Sequence, residues 1–169
     1  MVQFAHITPT AYLDLFASGR PFHLTLAHLV EQDGEYTSWY SSRDISRSFS
    51  PYINIMDNSA FEMYKQGREM YPSEKLIEMG TKIAADYIVM SDYPGQPSQV
   101  TIDKAHEMSP ELRAAGFGTF FVPQSKEGDL EDLINAFLWA AESPLVDYIG
   151  VSILAVSYTH LTLPTIYSV

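Results

Sequence analysis

Five short apolar runs, at residues 23–30, 52–56, 86–90, 118–122 and 147–154, recur along the chain with helix-like stretches between them. The repeat is about 30 residues, the size of a βα unit. Such runs leave no polar face for water, so they predict a parallel sheet covered by helices. Five units of this kind fit the first part of an incomplete (β/α)8 TIM-type barrel, whose full form takes about 250 residues. A doubly wound open sheet is the alternative. It lacks its glycine fingerprint here, because the first run is followed by Glu31-Gln32-Asp33-Gly34 and not by a glycine-rich turn.

Helix signals fall between the runs. Thr8-Pro9-Thr10 opens a short helix carrying Ala11, Tyr12, Leu13, Leu15 and Phe16, and Ser18-Gly19 closes it. Pro72-Ser73 starts a second, with Leu76, Ile77, Met79, Ile83 and Ala84 as its apolar positions. A third spans 98–115, where Pro110 predicts a kink or a split. A fourth covers 129–141 and places Leu130, Leu133, Ile134, Phe137 and Leu138 on one face. Residues 36–50 have no clean period and are dense in Ser and Arg, the profile of a long functional connection.

Composition narrows the function classes. Ten Lys and Arg against 21 Asp and Glu give a net charge of −11, which argues against a broad basic surface for nucleic acid. The absence of cysteine excludes disulfides and thiolate metal sites within the chain. Neither a membrane-length apolar run nor a basic-then-apolar leader is present, so a soluble protein with a cytoplasmic location and no membrane partner is expected.

From Val156 the chain reads Val-Ser-Tyr-Thr-His-Leu-Thr-Leu-Pro-Thr and contains no charge up to Val169. That stretch resembles the translation of a transposon-end adapter from sequencing libraries. The expectation is a partial barrel over 1–155 and a non-native read-through tail over 156–169, with the natural protein longer and His160 without functional meaning. An ordinary C-terminal strand is the alternative, since Tyr, Thr and Leu favour strands.

In a parallel barrel the site lies at the carboxyl ends of the strands. Four runs deliver Asp57, Asp92, Gln124, and Gly150 with Ser152 there. Two carboxylates and a carboxamide suit a planar heterocycle bearing several N–H and C=O groups. Phe61 can stack on such a ring. Each residue also has a plainer reading. Asp57 can cap the turn opened by Asn58 and Ser59, Asp92 can shape the turn before Tyr93-Pro94-Gly95, and Phe61 and Tyr64 can be packing residues. His23 and His28 lie in or beside one strand on opposite faces, and His6 and His106 have no ligand partners near in sequence, so all four are read as core or surface residues and no metal site is expected.

Asp57-Asn58-Ser59-Ala60-Phe61 resembles the Asp-Ser-Gly-(Gly/Ala)-Phe motif of the tRNA-guanine transglycosylases, the queuine and archaeosine family. Asp92 looks like that family's base-recognising Asp, Gln124 like its Val-Gln-Gly glutamine, and Ile149-Gly150-Val151 like the Ile-Gly-Gly stretch whose backbone reads the base. The resemblance covers about residues 20–155 and departs at Asn58, Ser59 and Val151. These departures resemble a phage-type branch associated with deazaguanine in DNA. The resemblance implies a base-exchange transglycosylase, in which guanine in tRNA or DNA is replaced by a 7-deazaguanine through a covalent glycosyl-enzyme intermediate. Asp57 matches the general acid/base; Asn58, Ser59, Phe61, Asp92, Gln124 and Gly150 match the base-binding set. The nucleophilic Asp and a Cys/His zinc cluster would lie beyond residue 155, leaving this chain inactive and without a cofactor of its own. A nucleobase-binding barrel or scaffold that kept the pocket and lost the chemistry is the alternative.

Overall fold

The computed structural model describes residue 5 and residues 7–18, 20–41 and 53–152. Within them five parallel strands, β1 (Phe22–Leu26), β2 (Ile53–Asp57), β3 (Tyr87–Val89), β4 (Gly118–Phe121) and β5 (Tyr148–Ile149), form one sheet in the order β1-β2-β3-β4-β5. Every neighbouring pair is parallel, so each connection must cross back over the sheet. The order never reverses among the described strands. A doubly wound sheet reverses at its switch point, and no such crevice occurs among the described strands; the alternation is compatible with an incomplete α/β barrel.

The helices are α1 (Ala27–Gln32), α2 (Gly34–Ser41), α3 (Ala60–Gln66), α4 (Ser73–Lys82), α5 (Ser98–Ala114) and α6 (Leu130–Glu142). α1 packs on α4, α4 on α5 and α5 on α6, a row that follows the strand order. The core between this row and the sheet holds Met56, Leu76, Met79, Ile88, Met108, Leu112 and Phe121, all buried. The same layer contains polar groups, and each is bonded. Thr25 Oγ1 donates to Asn54 Oδ1, Asn54 Nδ2 donates to the Ile83 carbonyl, and Thr119 Oγ1 donates to the Leu145 carbonyl. Buried polar side chains cost little when paired in this way.

Two acids lock the amino ends of the strands. Asp86 Oδ2 accepts the Asn54 amide at 2.8 Å, and Asp147 Oδ2 accepts the Thr119 amide at the same distance. Each stands just before its own strand and fixes the register of the strand beside it. On the opposite face of the sheet two glycines make room for rings. A Cβ on Gly118 would stand 2.3 Å from the Tyr87 ring, and one on Gly150 would stand 2.5 Å from the Phe120 ring. The Tyr87 and Phe120 rings therefore occupy the space a side chain would take on the neighbouring strand.

Several expectations need correcting. The first strand ends at Leu26; Ala27 to Gln32 is helical where the strand was expected to continue to Val30, and Gly34 to Ser41 is helical where a connection was expected from residue 36. Tyr36 and Tyr40 are buried, and this tertiary packing outweighs the weak helical period. α3 is an additional helix. Pro110 neither splits nor ends α5; it is exposed, so its ring stays on the solvent side of a continuous helix. α6 begins one residue later than expected, with Asp129 as its N-cap accepting the Asp132 amide. It buries Leu133, Ala136 and Ala140 and leaves Leu130, Ile134 and Leu138 exposed, so the inner face is the small-residue side and not the full leucine-rich stripe. The first helix resolves into a 3-10 turn (Thr10–Tyr12) and a π-type turn (Leu13–Ala17). Residues 42–50, the tail at 156–169, His6 and His160 lie outside the described residues. Among the described residues no helix is long and apolar enough to cross a membrane.

Candidate active site

The strand-to-helix turn after β2 is built by its own side chains. Asp57 closes β2 opposite Leu26 of β1. Its Oδ2 accepts the Ser59 amide at 2.9 Å, and Asn58 Oδ1 accepts the Ala60 amide at 2.7 Å. Two successive Asx bonds thus swing the chain from the strand into α3. Ser59 sits in the left-handed region, with φ 60° and ψ 34°. Its hydroxyl oxygen accepts the His28 amide at 3.1 Å and lies 2.9 Å from His28 Nδ1. α1 has no side-chain cap of its own. Ser59 supplies one from another element and ties the turn to the end of β1. The turn-forming reading of Asp57 is therefore real, and it leaves the other carboxylate oxygen free of this bond.

Asp92 is held differently. Asn58 Nδ2 donates to Asp92 Oδ1 at 2.7 Å and to the Met90 carbonyl at 2.7 Å, and Gln124 Nε2 donates to Asp92 Oδ2. Asn58, Asp92 and Gln124 are all buried. Carboxamides from the ends of β2 and β4 thus grip the two oxygens of one carboxylate from the end of β3, fixing its plane. Each oxygen keeps a second lone pair for a further donor.

Burial pushes both acids up. Asp57 is raised to about 7 by desolvation, against the bond from the Ser59 amide, with the nearby charges of Asp92 and Glu62 adding to the rise. Asp92 is raised to about 6 by desolvation, with the Asn58 and Gln124 amides holding it down. With both carboxyls raised by burial and standing at one cavity, the pair can hold a proton near neutral pH, as acid/base chemistry there requires. Asp57 is only partly screened from solvent, since it opens on the cavity.

That cavity, of about 610 Å³, is lined by Asp57, Asn58, Phe61, Asp92, Gln124 and Gly150, together with Glu62 and the apolar Leu24, Leu26, Val89, Phe120 and Val122. Six of the seven residues expected at the site meet there. The seventh, Ser59, is fully buried and faces His28 beneath the turn. Ser152 also lines the cavity. Phe61 stands at the rim, about half exposed, with Lys65 Nζ 4.2 Å from its ring centroid. Among the described residues no Lys, Arg or His lines the cavity, and its carboxylates favour a ligand that presents donors to them.

His28 is a residue that the sequence reading placed among the inert histidines. Thirty-one positions separate it from Ser59, and only the pairing of β1 with β2 brings the two together. His23 is buried, with Nε2 2.8 Å from the Arg20 carbonyl, in the expected core role. Among the described residues no group of three or more His, Asp or Glu side chains is placed to hold a metal ion. Searches against protein-family models and against curated proteins find no match to this chain.

Proposed function

We propose that this chain is part of a base-exchange transglycosylase of the tRNA-guanine type, its five parallel strands and their helices serving as the first units of a (β/α)8 barrel. The observation that carries the reading is the Asn58–Asp92–Gln124 clamp beside Asp57: groups from three strand ends, in the order the resemblance requires, around one cavity. Asp92, ionised and fixed, accepts N–H donors from the edge of a guanine or 7-deazaguanine. Gln124 and the backbone at Gly150 read the rest of its edge, and Phe61 covers its face. Asp57, raised towards neutrality, delivers a proton to the leaving base and takes one from the incoming base.

In this reading the bond from the anomeric carbon to guanine breaks as a second Asp attacks that carbon, and the incoming deazaguanine nitrogen then displaces the Asp. The resemblance puts that nucleophile later than residue 155. The polymer is tRNA or DNA, the zinc of the family belongs with the same later region, and the location is cytoplasmic. The test is a pair of measurements on the 169-residue chain. Guanine binding by calorimetry is expected, weakened by Asp92→Asn, while exchange of labelled guanine into tRNA or DNA is not expected. Absence of guanine binding sinks the reading; exchange by this chain refutes the placing of the nucleophile.

A nucleobase-binding barrel without chemistry is the second reading. It is favoured by the acids of the cavity, which among the described residues are Asp57, Asp92 and Glu62 alone.

A further inference from the structure

α3 sets an unusual surface beside the cavity. Its inner side buries Ala60 and Met63; its outer side presents Phe61, Tyr64 and Lys65, at the spacing that shares one helical face. Phe61 is 48% and Tyr64 64% exposed. Two exposed aromatics on a seven-residue helix are a poor choice for a face that only meets water.

The cations add a second observation. Among the described residues, Arg68, Lys75, Lys82, Lys104 and Arg113 each pair with a carboxylate. Lys65 and Lys126 make no such pair, and both stand at the carboxyl ends of the strands: Lys65 follows β2 in α3, and Lys126 comes two residues after Gln124 in the loop beyond β4. Arg20, also without a carboxylate partner, precedes β1 at the other end of the sheet. On a chain of net charge −11, these two lysines are the local exception: Lys65 lies over the ring of the cavity residue Phe61, and Lys126 follows the cavity residue Gln124 by two positions.

We infer that the outer face of α3, together with Lys126 in the loop after β4, is the landing surface for a single-stranded polynucleotide. This rests on the reading of the cavity as a nucleobase site. A base entering the cavity must leave its stack, so its neighbours arrive unstacked at the rim. Tyr64 offers one of them a ring to stack on, and Lys65 and Lys126 take phosphates. Stacking on an exposed aromatic tolerates any base, and the lysines tolerate any sequence. The surface therefore holds the strand without choosing its sequence, and the cavity makes the choice. The general acidity of the chain keeps the contact local to this rim.

The experiment is fluorescence anisotropy of labelled single-stranded DNA and RNA 12-mers containing guanine, titrated with the 169-residue chain and its variants. Tyr64→Ala is expected to weaken binding about ten-fold. Lys65→Gln and Lys126→Gln are each expected to flatten the dependence of log affinity on log salt by about 0.7. Tyr64 and Lys126 do not line the cavity, so guanine binding by calorimetry should stay as in the parent for Tyr64→Ala and Lys126→Gln; Lys65, which lies over the cavity residue Phe61, is read by its salt dependence. All three side chains are exposed, and circular dichroism should show the parent fold. Absence of oligonucleotide binding by the parent overturns the inference, as does binding that ignores all three substitutions. Tyr64→Ala that abolishes self-association in sedimentation and spares the oligonucleotide assigns the face to a second copy and overturns it too. Loss of guanine binding with intact, Tyr64-dependent strand binding removes the nucleobase reading and leaves the strand surface standing. DNA against RNA affinity tells which polymer the surface takes.

Discussion

Replacing Ser59 separates two forces that oppose each other at one residue. Its left-handed backbone costs any residue with a Cβ about 1–2 kcal/mol. Its hydroxyl caps α1 through the His28 amide, a bond of a kind that contributes about 1 kcal/mol. Ser59→Ala keeps the strain and loses the cap. With the site fully buried, the His28 amide loses an acceptor that water cannot readily replace, so the expected loss is about 2 kcal/mol. Ser59→Gly loses the same bond and releases the strain. Greater freedom of glycine in the unfolded chain takes back about 0.4–1 kcal/mol of that relief. The glycine variant should therefore be the more stable of the two by about 1 kcal/mol. Urea unfolding followed by circular dichroism reads this as a midpoint difference of about 0.5 M, for a slope near 2 kcal/mol/M. A glycine variant equal to or less stable than the alanine variant would refute the left-handed assignment and with it the geometry of the Asp57 turn. His28→Ala should leave the order of the two unchanged, because the backbone amide that Ser59 caps remains.

Three further predictions concern the site and the sheet. Asp57 binds its proton more tightly folded than unfolded, so its contribution to stability is fully present below about pH 4 and is lost as pH rises through about 7; Asp57→Asn should flatten the decline between about pH 4 and about pH 7. The ceiling for that effect is about 4 kcal/mol, lowered by water in the cavity, and parallel parent and variant curves in chemical denaturation would contradict it. Asp92→Asn turns one of its accepting oxygens into a donor facing the Asn58 or Gln124 amide, so guanine affinity should fall ten-fold or more in calorimetry; unchanged affinity would remove Asp92 from recognition. Gly118→Ala forces the Tyr87 ring off the sheet and should cost about 1–3 kcal/mol in thermal unfolding, whereas Gly34→Ala, which meets nothing within 4 Å, should cost less than 1 kcal/mol.

What the sequence determined by itself was the alternation. Apolar runs separated by helical periods fix a parallel sheet, because parallel strands need crossovers and crossovers need helices, and this holds before any contact is known. It also placed Asp57, Asp92, Gln124 and Gly150 at strand ends, since chain direction alone decides which end of a parallel strand faces the site. Tertiary structure decided the rest. Ala27 to Val30 reads as the end of a strand, yet it is helical, a choice local propensity is too weak to make. The side of α6 that faces inward was settled by packing against α5 and β5, not by its hydrophobic content. The clamp of Asp92 by Asn58 and Gln124 spans more than thirty residues in each direction. So does the bond from Ser59 to His28. Hydrogen bonds of this range leave no local period or motif, because they are made only after strand register has brought their partners side by side.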